Sequence, residues 1–379
     1  MSRINLRLAV SVAAAIAGTF AVAGTVFAQS KEPIKIGAVL SITGPAAGLG
    51  IPERNGAQAA VKSINAKGGV NGRPIMLIIE DDTTNPDTAV TKTNGLIFNQ
   101  DVAAIIGGSN FAASVAMGGI TDKQKVPQFA FTGLGPAIEK TRHCVFHMFT
   151  PHYLNARTLF EYSRSINAKK VAVLHDSGYG AVVVRELAGI MKDYPDIQVG
   201  TIEKFDITAT DVTTQAAKIK AGNPDAIFVF AVNAVPFRAI RALQMTQPII
   251  ALNGASSYET VSAMGSAADN VIIPEFLVAE DPLPRQKDFI NYFVKEIGAK
   301  PKNPESVAWD AIHVIAAALT KTGTDTRREK LCEAIRGPYA GVTTDYDFSA
   351  EDMTGIKLSG YIFSKLVKGQ YTRLPFVIK

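Results

Sequence analysis

Cysteine is scarce in this chain, with two in 379 residues, and tryptophan occurs once. A disulfide-dense scaffold is thereby excluded, so stability must come from buried apolar area. Runs of one charge are also missing. The formal net charge is +5, part of it from Arg3 and Arg7 at the extreme N-terminus, and lysine and arginine nowhere cluster densely enough for a nucleic-acid or membrane-binding patch. Catalytic signatures are absent too. No Gly-x-Ser-x-Gly elbow precedes His175-Asp176 or surrounds Ser256-Ser257. The glycine-rich stretch Gly44 to Gly50 lacks both the Gly-Lys-Ser/Thr of a phosphate loop and the spacing of a dinucleotide fingerprint. Apolar residues make up 47% and charged residues 19% of the chain, with moderate Pro and Gly, which argues against disorder and collagen-like repeats. At roughly 150 residues per domain, the length suggests two ordinary globular domains.

The N-terminal segment reads as an export signal. A basic start is followed by the apolar run Leu8 to Val22 and by Val26-Phe27-Ala28, whose small residues at the last and third-last positions fit a signal peptidase. Cleavage after Ala28 and an exported, periplasmic mature chain are expected. The alternative, an uncleaved anchor, is disfavoured because the run is short for a span of roughly 20 residues. No Cys precedes Cys144, so lipid attachment at a mature N-terminal cysteine is excluded. In an oxidising compartment Cys144 and Cys332 could pair, or each could be a small buried side chain.

From Pro33 the chain alternates strand and helix. Ile34 to Val39 is a strand, Ile51 to Ala66 a helix ended by Lys67-Gly68-Gly69, Pro74 to Glu80 a strand, Thr88 to Phe98 a helix opened by Asn85-Pro86-Asp87, and Val102 to Ile106 a strand. Gln128 to Thr132 repeats the design. A second series runs through strands at Lys170 to His175, Ile197 to Phe205, Ala226 to Val232 and Ile249 to Leu252, with helices between. Near-continuous apolar strands alternating with helices imply an α/β fold of two doubly wound parallel-sheet lobes. Later helices, Asp288 to Ile297 and Ser306 to Lys321, need a sheet to cover and are assigned to the first lobe. A hairpin is expected around Lys368-Gly369. The lobes are then 29–148 plus 277–345 and 149–276 plus 346–379, joined by three crossovers near Met148, Phe276 and Tyr346.

Ordered fragments carry a resemblance. Ile36-Gly37-Ala38-Val39 running into Ser41-Ile42-Thr43-Gly44-Pro45, then Asn55-Gly56-Ala57, Ile64 to Gly72 and Asp81-Asp82, and later Lys169 to Asp176 with Tyr179-Gly180, resemble the Leu/Ile/Val-binding family. These are the periplasmic substrate-binding proteins of branched-chain amino acid type ABC importers, with the type I periplasmic-binding fold. The resemblance covers essentially Pro33 to Lys379. It implies a monomeric clamp that closes on a small carboxylate and docks on a permease in the inner membrane, without cofactor, metal, nucleic acid or catalysis.

Carried over residue by residue, the resemblance implies ligand contacts from Leu49, from Ser109, Asn110, Phe111 and Ala112, from Gly133, Leu134 and Gly135, and from Tyr179, Asn233 and Asn253. The hydroxyls that hold the ligand carboxylate in the family are missing at Asn110 or Phe111 and at Gly133 to Gly135, which leaves backbone N–H groups for that task. The informative departure is Asn253, where amino-acid binders carry an acid for the α-ammonium. An amide has no charge to offer, and a buried unpaired cation costs several kcal/mol. The expected ligand is therefore apolar, aromatic or branched, and lacks an α-amino group. Amino-acid binding and a ligand-sensing role on the same fold are the alternatives.

Four other features were weighed against simpler roles. His143-Cys144, His147 and His152 have zinc-type side chains but no acid among them, and fit strand and hinge packing. His175-Asp176 fits a strand end better than a catalytic base. Arg238 and Arg241 fit a solvated helix face better than a carboxylate clamp at the cleft mouth, and Trp309 fits core.

Overall fold

The structure, a computed structural model, describes residues 32–133, 138, 140–351 and 353–378. The expected leader, Leu134 and Gly135 lie outside the described residues. The first lobe holds strands β1 (Ile34–Leu40), β2 (Ile75–Asp81), β3 (Ala104–Gly107), β4 (Gln128–Ala130) and β5 (Val145–His147). All pair in parallel, in the order β2-β1-β3-β4-β5. β1 and β3 are buried almost throughout, as apolar strands with helices on both faces must be.

The second lobe repeats the arrangement with β6 (Lys170–Asp176), β7 (Gln198–Phe205), β8 (Ala226–Phe230), β9 (Ile249–Ala251) and β10 (Val271–Glu275). Their order is β7-β6-β8-β9-β10, again parallel. A small ribbon of β11 (Pro338–Ala340) and β12 (Asp345–Asp347) follows. The hairpin of β13 (Ile362–Val367) and β14 (Gln370–Leu374) then joins β10 antiparallel and makes this second sheet mixed. Lys368 and Gly369 both have positive φ, 51° and 73°, the pair that a tight hairpin of this hand requires.

Between β10 and β13 the chain leaves the second sheet. Helix Asn303–Lys321 lies against helix Ala47–Ala66 of the first lobe. The approach is so close that a Cβ on Gly56 would sit 2.2 Å from the Glu305 carbonyl oxygen. Only glycine fits there. Trp309 packs with Phe289, Tyr292 and His313 in the same layer. Cys332, on helix Arg328–Ile335, is disulfide-bonded to Cys144 just before β5, with the two Cα atoms 5.6 Å apart and 188 residues between them in sequence. The first lobe is thus assembled from both ends of the chain and stapled across them.

Both sheets place their second strand outside the first, so successive connections diverge between β1 and β3 and again between β6 and β8. These are topological switch points, where the loops leaving the carboxyl ends of the strands open a crevice. Each crevice supplies one wall of the cleft between the lobes.

Candidate functional site

On the first-lobe wall, Asp81 fixes the turn after β1 by accepting from Ile42 N at 3.0 Å, Thr43 N at 3.2 Å and the Thr43 hydroxyl at 2.7 Å. Ser109, after β3, is buried. Its hydroxyl accepts from Ser41 N at 3.0 Å and donates to the Glu53 carboxyl. Burial pushes that carboxyl up to about 8, against the hydrogen bond from Ser109 and with help from the charges of Asp82 and Glu305. Asn110 caps helix Phe111–Lys123, its Oδ1 accepting from Ala113 N at 3.0 Å while its Nδ2 reaches the Ser41 hydroxyl at 3.2 Å. Both side chains are therefore engaged within the lobe. What faces the cleft is backbone and apolar surface. Phe111 and Ala112 are exposed at the first turn, where N–H groups have no intrahelical partner and the helix end favours an anion. Leu49 and Phe111 are each 43% exposed. Gly133 serves packing, since a Cβ on it would meet Pro151 Cα at 2.3 Å.

The second-lobe wall differs. Asp176, at the end of β6, accepts from Gly178 N at 2.9 Å and Gly180 N at 2.8 Å, shaping the turn that presents Tyr179. His175 is turned away, its Nδ1 2.8 Å from the Asp176 carbonyl oxygen, so the two form no catalytic dyad. Tyr179 Oη accepts from Asn155 Nδ2 at 3.0 Å, and Asn155 Oδ1 accepts from Tyr361 Oη. Burial pushes the Tyr179 ionisation up to about 12. Asn233 is engaged locally, accepting from Val235 N at 3.1 Å. Asn253, after β9, is 8% exposed and its Nδ2 has no hydrogen-bond partner.

Sequence reasoning missed His152, which it had grouped with Cys144 and His147. Cys144 is instead in the disulfide, and His147 Nδ1 lies 2.9 Å from the Thr132 carbonyl oxygen. His152 opens helix His152–Ser165, with its ring 6.0 Å from that of Phe111 and 5.3 Å from that of Tyr179. The three rings bridge the two walls. Neither His152 nitrogen has a partner, and burial lowers its pKa, which keeps the ring neutral near pH 7. Its place directly after Pro151, where the chain crosses between lobes, is the one local signal that could have pointed to it.

Glu275 and Glu259, two acids that follow Asn253 in sequence, are engaged or placed elsewhere. Glu275, buried at the end of β10, accepts from Asn303 Nδ2 at 2.6 Å and lies 3.7 Å from Lys302 Nζ. Lys302 in turn sits 3.1 Å from the Tyr371 ring centre and 4.8 Å from that of Tyr258. Glu259 is exposed. Arg241 donates to the carbonyls of Met245, Gln247 and Asp269, and Arg238 is exposed. Among the described residues no three His, Cys, Asp or Glu side chains form a metal cluster, and no helix is long and apolar enough to cross a membrane. A depression of about 420 Å³ bordered by Tyr162, Asp225 and Pro248 lies where the second sheet's strands begin, at the opposite end from the cleft.

The sequence pattern of the periplasmic binding protein family matches residues 33–366. The chain belongs to that family. The Leu/Ile/Val-binding protein homolog 7 of Brucella melitensis is 25% identical over 335 residues, 83% of this chain and 82% of that protein. The leucine-, isoleucine-, valine-, threonine- and alanine-binding protein of Pseudomonas aeruginosa is 24% identical over 322 residues, 82% of this chain and 84% of its own. Among solved structures, the branched-chain amino acid transporter substrate binding protein LivJ of Streptococcus pneumoniae, in complex with isoleucine, superposes with a TM-score of 0.78 at 22% identity, covering 90% of this chain and all of that one. An extracellular ligand-binding receptor from Rhodopseudomonas palustris reaches a TM-score of 0.76 at 27% identity over 91% of this chain and 99% of that one. The architecture of this periplasmic binding protein is thus the type I fold, and the relatives named are binding proteins.

Proposed function

We propose that this solute-binding protein of the branched-chain amino acid ABC transporter type captures an apolar, aromatic or branched carboxylate without an α-amino group and delivers it to a permease in the inner membrane. The observation that carries the reading is Asn253, a buried, uncharged amide whose donor is unpaired. An α-ammonium placed against it would meet an amide that carries no charge. The carboxylate is received by the N–H groups of Phe111 and Ala112 at the helix terminus, with Gly133, Leu134 and Gly135 as the further contacts that the resemblance implies. Leu49 and Phe111 supply apolar wall, with Tyr179 and Asn233 opposite. Binding draws the lobes, 29–148 plus 277–345 and 149–276 plus 346–379, together over the ligand, and the mature chain acts as a periplasmic monomer after removal of residues 1–28.

Titration calorimetry with leucine and with isocaproate, the matched acid lacking the amine, tests the ligand class. Tighter binding of isocaproate is expected. A preference for leucine would mean that an acid other than residue 253 serves the ammonium, and the reading fails.

A further inference from the structure

Three unpaired polar atoms lie on segments that border Tyr179 on the second-lobe wall. Asn253 Nδ2 is a buried donor without partner, and both His152 nitrogens are buried without partner. The Tyr179 ring is 5.3 Å from that of His152, and a Cβ on Gly254, the residue after Asn253, would lie 3.9 Å from its Cδ1 and Cε1. Buried donors are almost always satisfied in a native structure, so such a group awaits a partner. A hydrocarbon arriving here would leave them all unpaired. An ammonium, which only donates, would leave the Asn253 Nδ2 donor unpaired.

We propose that Asn253 and His152 together recognise an oxygen next to the ligand's carboxylate, so that the occupant is a 2-oxo or 2-hydroxy acid. This rests on the carboxylate reading above and narrows it. His152 also lies beside Phe111, the ring centres 6.0 Å apart, and Phe111 opens the helix whose N–H groups would receive the carboxylate. Asn253 Nδ2 donates to the oxygen. The neutral imidazole carries one donor and one acceptor on different edges of the ring, so the nitrogen that faces the ligand donates to a keto oxygen in one tautomer or accepts from a hydroxyl in the other. Discrimination by such a site is strong, since an analogue lacking the oxygen leaves buried polar groups unmatched.

Calorimetry on the mature chain with two matched series decides the matter: α-ketoisocaproate, α-hydroxyisocaproate, isocaproate and leucine, and phenylpyruvate, phenyllactate, phenylpropanoate and phenylalanine. In the series whose skeleton fits, an oxygenated acid should bind at least tenfold tighter than its oxygen-free counterpart. His152→Phe and Asn253→Leu should each shrink that ratio to threefold or less, while His152→Gln, which keeps hydrogen-bonding capacity, should retain most of it. An oxygen-free acid binding as tightly as its keto and hydroxy partners overturns the proposal and leaves the carboxylate reading intact. Tightest binding of leucine or phenylalanine, or no saturable binding by any member, overturns both. An oxygen preference that survives both substitutions refutes the assignment to these residues.

Discussion

The two walls of the cleft solve opposite problems. On the first lobe, Ser109 and Asn110 turn their polar atoms inward to Ser41, Glu53 and Ala113, which leaves helix-terminal N–H groups and the exposed faces of Leu49 and Phe111. On the second, the side chains themselves remain unpaired, at Asn253 and His152. A backbone wall holds any carboxylate and is insensitive to which side chains a sequence carries. A side-chain wall changes its ligand with one substitution. On the proposed reading, the difference puts specificity in the second lobe and the crossover that leads into it.

This contrast can be broken in stages. The largest effect should come from the staple, which is confined to the first lobe. Replacing Cys144 and Cys332 together by serine should cost about 2–5 kcal/mol of stability, read as a lower midpoint in denaturant, with isocaproate affinity nearly unchanged once the protein is folded. A parallel fall in affinity would show that the staple also shapes the cleft. Next is Glu53, held neutral in the folded state up to about 8 while the unfolded chain ionises in the ordinary carboxylate range. The unfolded state therefore binds fewer protons across that window, so this group's contribution to stability declines as pH rises through it and levels off above. Glu53→Gln should remove on the order of 2–4 kcal/mol of that decline between pH 5 and pH 8. Melting curves of both proteins with equal slopes against pH would sink this account.

Smaller changes sharpen the comparison at the ligand itself. Tyr179→Ala should weaken binding at least tenfold, about 1.4 kcal/mol, and unchanged affinity in a folded variant would remove Tyr179 from the site. Ser109→Ala, on the other wall, should lower the melting temperature but shift affinity by less than about twofold, because its hydroxyl serves the lobe. A tenfold loss there would mean that the first wall also reads the ligand through a side chain.

Much of this architecture is legible in the amino-acid sequence, for a local reason. β1, β6 and β8 are apolar runs bounded by turn residues, and Asn85 and Asn110 stand where helix caps belong, so periodicity and capping suffice to find them. The assignment of the late helices to the first lobe follows from the need to cover a sheet, and helix Asn303–Lys321 lies along Ala47–Ala66. The cleft itself was legible only as positions. Whether Ser109 faces a ligand or Glu53 depends on a partner 56 residues away, and the link from Asn155 to Tyr361 spans 206. No local pattern encodes such pairings. The disulfide was open for the same reason, and His152 was misgrouped because neighbours in sequence diverge where the chain changes lobes.

The contact between Gly56 and Glu305 also has a meaning in time. Ribosomes release a chain from its N-terminus, and domains generally close as soon as their residues have emerged. Here the first lobe is completed late, because the helix that covers Ala47–Ala66 arrives only after the five parallel strands of the second sheet have been made. Its leading part lacks that cover until then, which suits a protein bound for export that is drawn through a narrow channel before it folds.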